Sequence, residues 1–262
     1  QLQILMCRGT PLPNGVGWVI VFDDITTLIQ AQRDAAWGEV ARRLAHEIKN
    51  PLTPIRLSAE RLQIKYEPLV PEEQTEQLHK LTNTIIQQVD AMKDMVNDFS
   101  DYAKSPSLKL ESISISTFIH EVIALYQSNT KHKITLIDSP DIALKLDSNR
   151  FRQVLHNLIK NAIEASEDAS LPVTIQIDYH KINDTPGNWL ELTIRDSGPG
   201  IPDDMMTKLF EPYATNKIRG TGLGLAIVKK IIDEHQGSVW TENLDPSGTC
   251  IIIRLPLEKT IP

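Results

Sequence analysis

One candidate for chemistry is His46, which is followed directly by the acidic Glu47. A carboxylate beside an imidazole can hold it in one tautomer and make the other ring nitrogen a better nucleophile. Asn50 comes one helical turn later and would share the face of His46. A solvent-facing histidine on a helix is usually an ordinary surface residue, so it is these neighbours that make His46 a candidate catalytic residue.

A glycine-rich segment from Asp196 to Ile201, Asp-Ser-Gly-Pro-Gly-Ile, directly follows a strand-like run. Glycines such as Gly198 and Gly200 let a backbone approach a flat ring. The carboxylate of Asp196 can accept a hydrogen bond from an exocyclic amine such as that of adenine. The alternative is an ordinary turn, which the same residues would also form well.

A second glycine-rich segment, Gly220-Thr221-Gly222-Leu223-Gly224, stands immediately before a helical pattern. Backbone amides at the start of a helix suit a phosphate group. The segment is not a P-loop, because no Gly-Lys-Ser/Thr follows, and its spacing is not that of a dinucleotide-binding fingerprint. It is therefore a candidate phosphate loop of another type.

Asn157 and Asn161 are spaced so that they project from the same side of one helix. Amide oxygens together with phosphate oxygens suit a hard cation such as Mg²⁺. Two solvated surface asparagines are the alternative. Between the two glycine-rich segments lies a stretch with few structural signals, including Phe210 and Lys217, which is a candidate lid over a nucleotide.

Two long helices must position His46. Pro51 lies inside the first helical pattern and is expected to kink it, and the chain from Tyr66 to Glu72 is expected to connect the helices. On this register His46 faces away from the seam. Heptad spacing of apolar residues predicts a coiled-coil-like hairpin, with one amphipathic helix on a globular core as the alternative. The first helix has Trp37, Ala41, Leu44, Ile48, Ile55 and Leu62 in this pattern, and the second has Leu78, Ile85, Met92 and Phe99 in one row and Thr82, Val89, Val96 and Ala103 in the other.

A lone hairpin would leave apolar surface exposed, and pairing two hairpins into a four-helix bundle covers it, so a homodimer is expected. Ser105-Pro106-Ser107 breaks the second helix and marks a boundary. Beyond it, mixed helix and strand signals predict an α/β sandwich with helices on one face. Strands are expected near 134–138, 143–146, 172–180, 188–195, 238–243 and 248–255, and helices near 116–128, 149–166 and 222–236.

Composition narrows the function classes. The net charge of −7 argues against nonspecific binding of nucleic acid by a basic surface. The two cysteines lie far apart and form neither a metal-ligand pattern nor a disulfide framework. The sequence has no apolar stretch long enough to span a bilayer. It begins with Gln, so we expect it to be part of a longer protein.

Five short motifs occur in an order typical of one family, over residues from about 30 to 257. The sequence resembles the HisKA-type bacterial sensor histidine kinases, and residues 44–56 resemble the NtrY group of nitrogen-regulation sensor kinases. Residues 1–25, two short strands ending in Asp24-Ile25-Thr26, are similar to the exit of a PAS domain. The H, N, G1, F and G2 boxes of the family match, in order, His46-Glu47 with Asn50-Pro51-Leu52, Asn157 with Asn161, Asp196 to Gly200, Phe210, and Gly220 to Gly224.

The resemblance implies an α+β chain with a PAS-like remnant at 1–25 and a signalling helix plus dimerisation hairpin at 26–105. A Bergerat-type α/β sandwich that binds ATP would occupy 106–262. The family reaction moves a phosphoryl group from ATP to histidine, and then to an aspartate of a response regulator, here of NtrX-like type. The resemblance also implies a membrane-anchored parent protein with this portion in the cytoplasm.

Roles follow residue by residue from the same resemblance. His46 is the phosphoacceptor, Glu47 activates it, and the position of Asn50 is tied to dephosphorylating the regulator. Asn161 is the Mg²⁺ ligand, with Asn157 supporting it. The implied contacts with ATP are Asn157, Asn161, Asp196, Gly198, Gly200, Phe210, Lys217, Gly220, Thr221, Gly222, Leu223 and Gly224.

One departure from the family pattern concerns Glu164 and Ala165, which stand where many members carry a lysine and an aromatic residue. The resemblance therefore does not assign the residues that contact the ribose and phosphates on that side. Two other functions remain as alternatives. An ATPase of the Hsp90, gyrase and MutL group would carry a glutamate at the place of Asn157, and a degenerate kinase would serve as a dimeric scaffold without phosphoryl transfer.

Overall fold

A computed structural model describes residues 3–13, 17–103, 108–127, 132–137, 140–184, 187–215, 217 and 220–257. The side chain of Trp37 and the predicted boundary at 105–107 lie outside the described residues. The chain forms two compact units, Gln1–Pro106 and Ser107–Pro262.

The first unit is a β-ribbon followed by a pair of helices. Strands β1 (Leu5–Pro11) and β2 (Trp18–Asp24) pair antiparallel, as the sequence predicts. Helix α1 runs over Thr26–Tyr66 as one element through Pro51 and Pro54, so the kink at Pro51 stays a prediction. A short 3₁₀ turn, Glu67–Leu69, leads into helix α2, Glu72–Ala103.

The two helices pack through small and β-branched residues. Helix α1 buries Ala41, Ala45, Leu52 and Ala59, while α2 buries Thr82, Val89, Val96 and Ala103. The predicted second row of α2 is therefore confirmed as the contact within the hairpin. Alanine at three of these α1 positions lets the helix axes approach closely, because it has no side chain beyond Cβ.

The larger apolar residues of the predicted seam remain substantially exposed within one chain. Their exposed fractions lie between 42% and 55%. This corrects the expected position of Leu44 and its row, because Ala41, Ala45, Leu52 and Ala59 take the inner seam of α1, and of these only Ala41 belonged to the predicted pattern. The exposed row comprises Leu44, Ile48, Ile55, Leu62, Ile85 and Met92.

The second unit is a five-stranded sheet in the order β4-β6-β7-β9-β8, in which only β4 and β6 are parallel. The strands and helices predicted for this half are found with ends shifted by a few residues. Strand β3 and helix α5 were not predicted. The elements are β3 Glu111–Ser114, α3 Ile115–Ala124, β4 His132–Leu136, β5 Ala143–Leu146, α4 Ser148–Asp168, β6 Val173–Asp184, β7 Gly187–Asp196, α5 Asp203–Met206, α6 Gly224–Glu234, β8 Ser238–Asn243 and β9 Thr249–Pro256.

Apolar residues on one face of the sheet form the core with helices α3, α4 and α6. Along β7, Leu190 and Leu192 are fully buried, whereas Glu191 between them is partly exposed. Phe118 of α3 meets Phe151 of α4 with ring centroids 5.9 Å apart. The predicted α/β sandwich with helices on one face is confirmed.

Asp147 fixes the start of helix α4. Its Oδ1 accepts from the backbone N–H of Arg150 at 3.1 Å, which satisfies a donor that the helix start leaves unpaired. Its Oδ2 accepts from the backbone N–H of Lys109 at 3.0 Å, and its own N–H donates to Nε2 of the buried His235 at 3.0 Å. A 2.6 Å ion pair between Arg150 and Glu234 adds a second link. Helices α4 and α6 are thereby held together at one end.

Candidate functional site

His46 lies on the outer face of α1. Its neighbour Ala45 is 2% exposed on the inner seam, whereas His46, Glu47 and Asn50 are all exposed. The predicted outward orientation of His46 is therefore found. Pro51 has no backbone N–H, so the carbonyl of Glu47, four residues earlier, lacks its helical donor. The face combines an accessible imidazole, a carboxylate and an amide.

The two asparagines of α4 face the start of α6. Nδ2 of Asn157 donates to the carbonyl oxygen of Gly224 at 3.3 Å. A Cβ placed on Gly224 would lie 3.9 Å from Nδ2 of Asn161 and 4.0 Å from Cγ of Asn157. Both asparagines therefore lie beside the end of the second glycine-rich segment, and Asn157 is hydrogen-bonded to it.

Asp196 ends strand β7 and turns its carboxylate inward. Oδ1 accepts from the backbone N–H of Gly198 at 2.8 Å and from that of Thr249 at 3.2 Å. Burial raises the pKa of the Asp196 carboxyl, and these backbone donors act against the rise. A Cβ on Gly198 would come within 2.9 Å of Oδ1, so glycine is required for this close approach.

The loop after Asp196 is held from two sides. The Cβ position of Gly198 lies 3.7 Å from the Cβ of Ala165 on α4. On the other side, the Asn243 amide donates to the carbonyl of Ile201 and accepts from its N–H, both at 2.8 Å. The sequence did not single out Asn243, because its partner lies 42 residues away and no local pattern marks it.

The second glycine-rich segment folds against the residues after Phe210. The backbone N–H of Tyr213 donates to the carbonyl of Gly222 at 2.9 Å. Gly222 has φ +67°, and a Cβ there would lie 2.5 Å from the carbonyl carbon of Tyr213. Phe210 itself is half-buried.

Helix α6 begins at Gly224 without a side-chain cap. Its first backbone N–H groups are therefore suited to donate hydrogen bonds to an anion. The Asn157–Gly224 contact places the two asparagines beside this helix start. An anion with a bound cation, such as a metal-bound polyphosphate, fits that pairing of amide oxygens and N–H donors.

Lys217 lies against α4, with its Nζ 2.6 Å from Oε2 of Glu164. Glu164 is the residue that departs from the family pattern, and its other oxygen, Oε1, lies 3.9 Å from Nζ of Lys160. The structure thus places Lys217 beside the helix that carries both asparagines. Sequence reasoning missed the pair because 53 residues separate its members.

Within the described ranges, no group of three or more His, Cys, Asp or Glu side chains is arranged to hold a metal ion. A cation here would depend on the asparagine oxygens and on oxygens that a ligand brings. Among the same residues, no helix combines the length and the apolar content that crossing a bilayer requires.

Comparison with known families accounts for both units. Residues 36–108 match the His Kinase A (phospho-acceptor) domain, and residues 146–259 match the histidine kinase-, DNA gyrase B-, and HSP90-like ATPase domain. The chain belongs to the histidine kinase family. The description of the ATPase domain also names gyrase B and HSP90. This chain carries a phosphoacceptor domain before it, so the alternative of an ATPase without phosphoryl transfer to histidine is not favoured.

Individual histidine kinases show the same relationship. The chain is 41% identical over 94% of its length to the nitrogen regulation protein NtrY of Azorhizobium caulinodans, of which it covers 32%. The predicted resemblance to the NtrY group is thereby confirmed. The chain spans about a third of the length of the curated NtrY-like kinases that it matches.

Two solved structures of the histidine kinase ThkA are also similar. The complex of ThkA with the response regulator protein TrrA aligns with a TM-score of 0.60 and 29% identity, over 96% of this chain and 75% of that one. The isolated ThkA catalytic domain aligns with a TM-score of 0.50 and 34% identity, over 57% of this chain and 96% of that one.

Proposed function

We propose that this chain transfers the terminal phosphate of ATP to His46 and passes it on to an aspartate of a response regulator. The observation that carries the proposal is the hydrogen bond from Asn157 to Gly224. It joins the helix of the two asparagines to the uncapped start of α6, and this chain also contains the exposed His46 in a phosphoacceptor domain.

In the proposed reaction, one ring nitrogen of His46 attacks the γ-phosphorus, the bond from phosphorus to the bridging oxygen breaks, and ADP leaves. Glu47 accepts the proton of the other ring nitrogen, which holds the imidazole and increases its nucleophilicity. A general base of this kind typically contributes about 10²–10⁴-fold to the rate. Phosphoryl transfer needs positioning and charge neutralisation more than covalent chemistry from the protein. Asn161, supported by Asn157, would hold Mg²⁺, which neutralises phosphate charge when bound, and Lys217 would add a further positive charge.

Adenine would bind beside Asp196, within the loop that Gly198 and Gly200 allow to approach closely. The N–H groups near Gly222 and Gly224 would face the phosphates, Gly220, Thr221 and Leu223 would complete this loop around the nucleotide, and Phe210 would lie at the base of the lid. Two findings support this placement: the Asp196 carboxylate points inward, and the second glycine-rich segment directly precedes α6.

The partners belong to the same proposal. A second copy of the chain would cover the exposed row that includes Leu44, Ile48 and Ile55, which supports a homodimer through a four-helix bundle. An NtrX-like response regulator would dock on the face of His46. Residues 1–25 would complete a PAS-like domain, and the parent protein would be anchored in the inner membrane with this portion in the cytoplasm.

Incubation of the purified chain with Mg²⁺ and ATP radiolabelled at the γ-phosphate tests the function. We expect label on the protein that is lost in acid and kept in base, as for a phosphohistidine. ATP labelled at the α-phosphate is the control and should leave the protein unlabelled. Free phosphate without labelled protein would indicate an ATPase, and no turnover at all would indicate a scaffold.

Asp196→Asn is expected to weaken ATP binding by about one to two orders of magnitude. The amide keeps the shape and can still accept from Gly198 and Thr249, but it loses the charge of the acceptor. A hydrogen bond to a charged group is worth roughly 1.5–3 kcal/mol, which corresponds to that loss of affinity. Calorimetric titration with ATP measures it, with the exposed Asp168→Asn as control. Equal affinity in the Asp196 variant and wild type would contradict the adenine assignment.

Asn50→Ala is expected to spare autophosphorylation within a few-fold, about 1 kcal/mol in the barrier, and to remove most phosphatase activity toward the regulator. An amide on the His46 face can orient a water for in-line attack on a phosphoaspartate. The decay of the phosphorylated regulator is followed with each kinase variant, and the exposed Asn83→Ala on α2 is the control. Undiminished acceleration by Asn50→Ala would show that the role is wrong.

A further inference from the structure

The ion pair between Lys217 and Glu164 links the candidate lid to helix α4. Nζ of Lys217 lies 2.6 Å from Oε2 of Glu164, with the two side chains 26% and 39% exposed. The backbone N–H of Lys217 also donates to Oγ1 of Thr215 at 3.1 Å. The pair is thus partly shielded and geometrically tight, which distinguishes it from a fully solvated surface pair.

Glu164 lies between the two glycine-rich loops. It follows Asn161 by one helical turn, and the residue after it, Ala165, lies 3.7 Å from the Cβ position of Gly198. From the other side, a Cβ on Gly220 would lie 3.1 Å from Cβ of Lys217. The carboxylate therefore stands at the edge of the proposed phosphate site.

A negative charge at that edge is unexpected for a site that binds a polyanion. The carboxylate repels phosphate groups, and the same Lys217 that is proposed to contact the phosphates neutralises it. Lys217 has three N–H donors but a single positive charge, and Glu164 holds its Nζ against α4, so Glu164 and a phosphate compete for the charge and position of this ammonium group.

We infer that Glu164 competes with the phosphates of ATP for Lys217 and thereby lowers affinity for the nucleotide. The inference rests on the proposed function, because it takes the ligand to be ATP. Binding exchanges the Glu164 contact of Lys217 for a phosphate contact. The pair therefore weakens binding of any nucleotide whose phosphates take Lys217, and it has less effect on a nucleotide that leaves the pair intact.

The direction of the effect is set by electrostatics. Glu164→Gln removes both the competitor and the repulsion while keeping the side-chain volume. We expect the affinity for Mg²⁺-bound AMP-PNP to rise by about three- to tenfold. This change is close to, or slightly above, the largest effect expected from removing a partly exposed ion pair. The gain for ADP is expected to be equal or smaller, because a nucleotide with a weaker contact to Lys217 and less phosphate charge regains less when Glu164 is neutralised.

Glu167→Gln is the matched control. It removes the same charge from the same helix, but Glu167 contacts His132, at 3.2 Å, and not Lys217. It should leave both affinities within about twofold of wild type. The double variant Glu164→Gln/Lys217→Gln completes a thermodynamic cycle with Lys217→Gln alone.

Calorimetric titration of the four variants and the wild type with Mg²⁺-bound AMP-PNP and with ADP is the experiment. Tighter binding in Glu164→Gln that is clearly reduced in the Lys217→Gln background supports the inference. Unchanged or weaker binding overturns it, as does a gain of the same size without Lys217, since Glu164 would then act by repulsion alone. If the wild type binds neither nucleotide, the proposed function itself fails, and the inference fails with it.

Discussion

His46→Gln is expected to abolish all protein-bound phosphate in the labelling reaction. Glutamine keeps a polar side chain on the exposed face of α1 but has no ring nitrogen that can attack phosphorus. Because Ala45 and Leu52, not His46, form the inner seam, the exchange should leave the hairpin packed. Labelling should therefore fall below detection while circular dichroism and the melting temperature stay close to wild type.

His79→Gln on α2 is the matched control, since it makes the same exchange in the same helical hairpin. It should retain labelling. Mass spectrometry of peptides prepared at basic pH should place the phosphate of the wild type on His46. Phosphate on another of the seven histidines, or on a serine or threonine, would contradict the assignment.

Asn161→Ala is expected to abolish autophosphorylation through loss of Mg²⁺-dependent ATP binding. Its side chain lies at the corner that α4 forms with Gly224, where an amide oxygen and phosphate oxygens together suit the ion. Because Asn161 is partly exposed and carries no core packing, unfolding should stay cooperative. Titration with ATP in the presence and absence of Mg²⁺, alongside labelling, measures the loss.

Asn149→Ala, at an exposed position in the first turn of the same helix, serves as the control and should label normally. Asn161→Asp adds a second test, because it keeps an oxygen ligand but adds a charge beside the phosphates, and it should also fail to label. Labelling at the wild-type level in either Asn161 variant would remove this residue from the proposed Mg²⁺ site.

The candidate site residues could be proposed from sequence because each is marked locally. Asn157 and Asn161 share a helix face through their spacing, and the glycines around Asp196 and Gly222 stand at the ends of regular elements. Their order then matched one family. Each of these patterns spans only a few residues, so it can be recognised in the sequence without knowledge of the fold.

Contacts between distant parts of the chain were not predictable. Two examples are the hydrogen bonds of Asn243 with Ile201 and the ion pair of Lys217 with Glu164. Both depend on which strands and helices become neighbours in the fold. The α1 side of the inner seam was predicted only at Ala41, for another reason. Heptad spacing identifies apolar rows, but the choice of alanines such as Ala45 for the inner side depends on how closely the helices approach.

The attachment of Lys109 to Asp147 has a mechanical consequence. Glu111 pairs with Leu146, and Lys109 donates to the next residue, Asp147, which caps α4. Tension applied to the chain before Lys109 would therefore be felt first at the cap of the helix that carries Asn157 and Asn161, before it reached the central sheet. A displacement of the chain before Lys109 would therefore act on the N-terminal end of that helix.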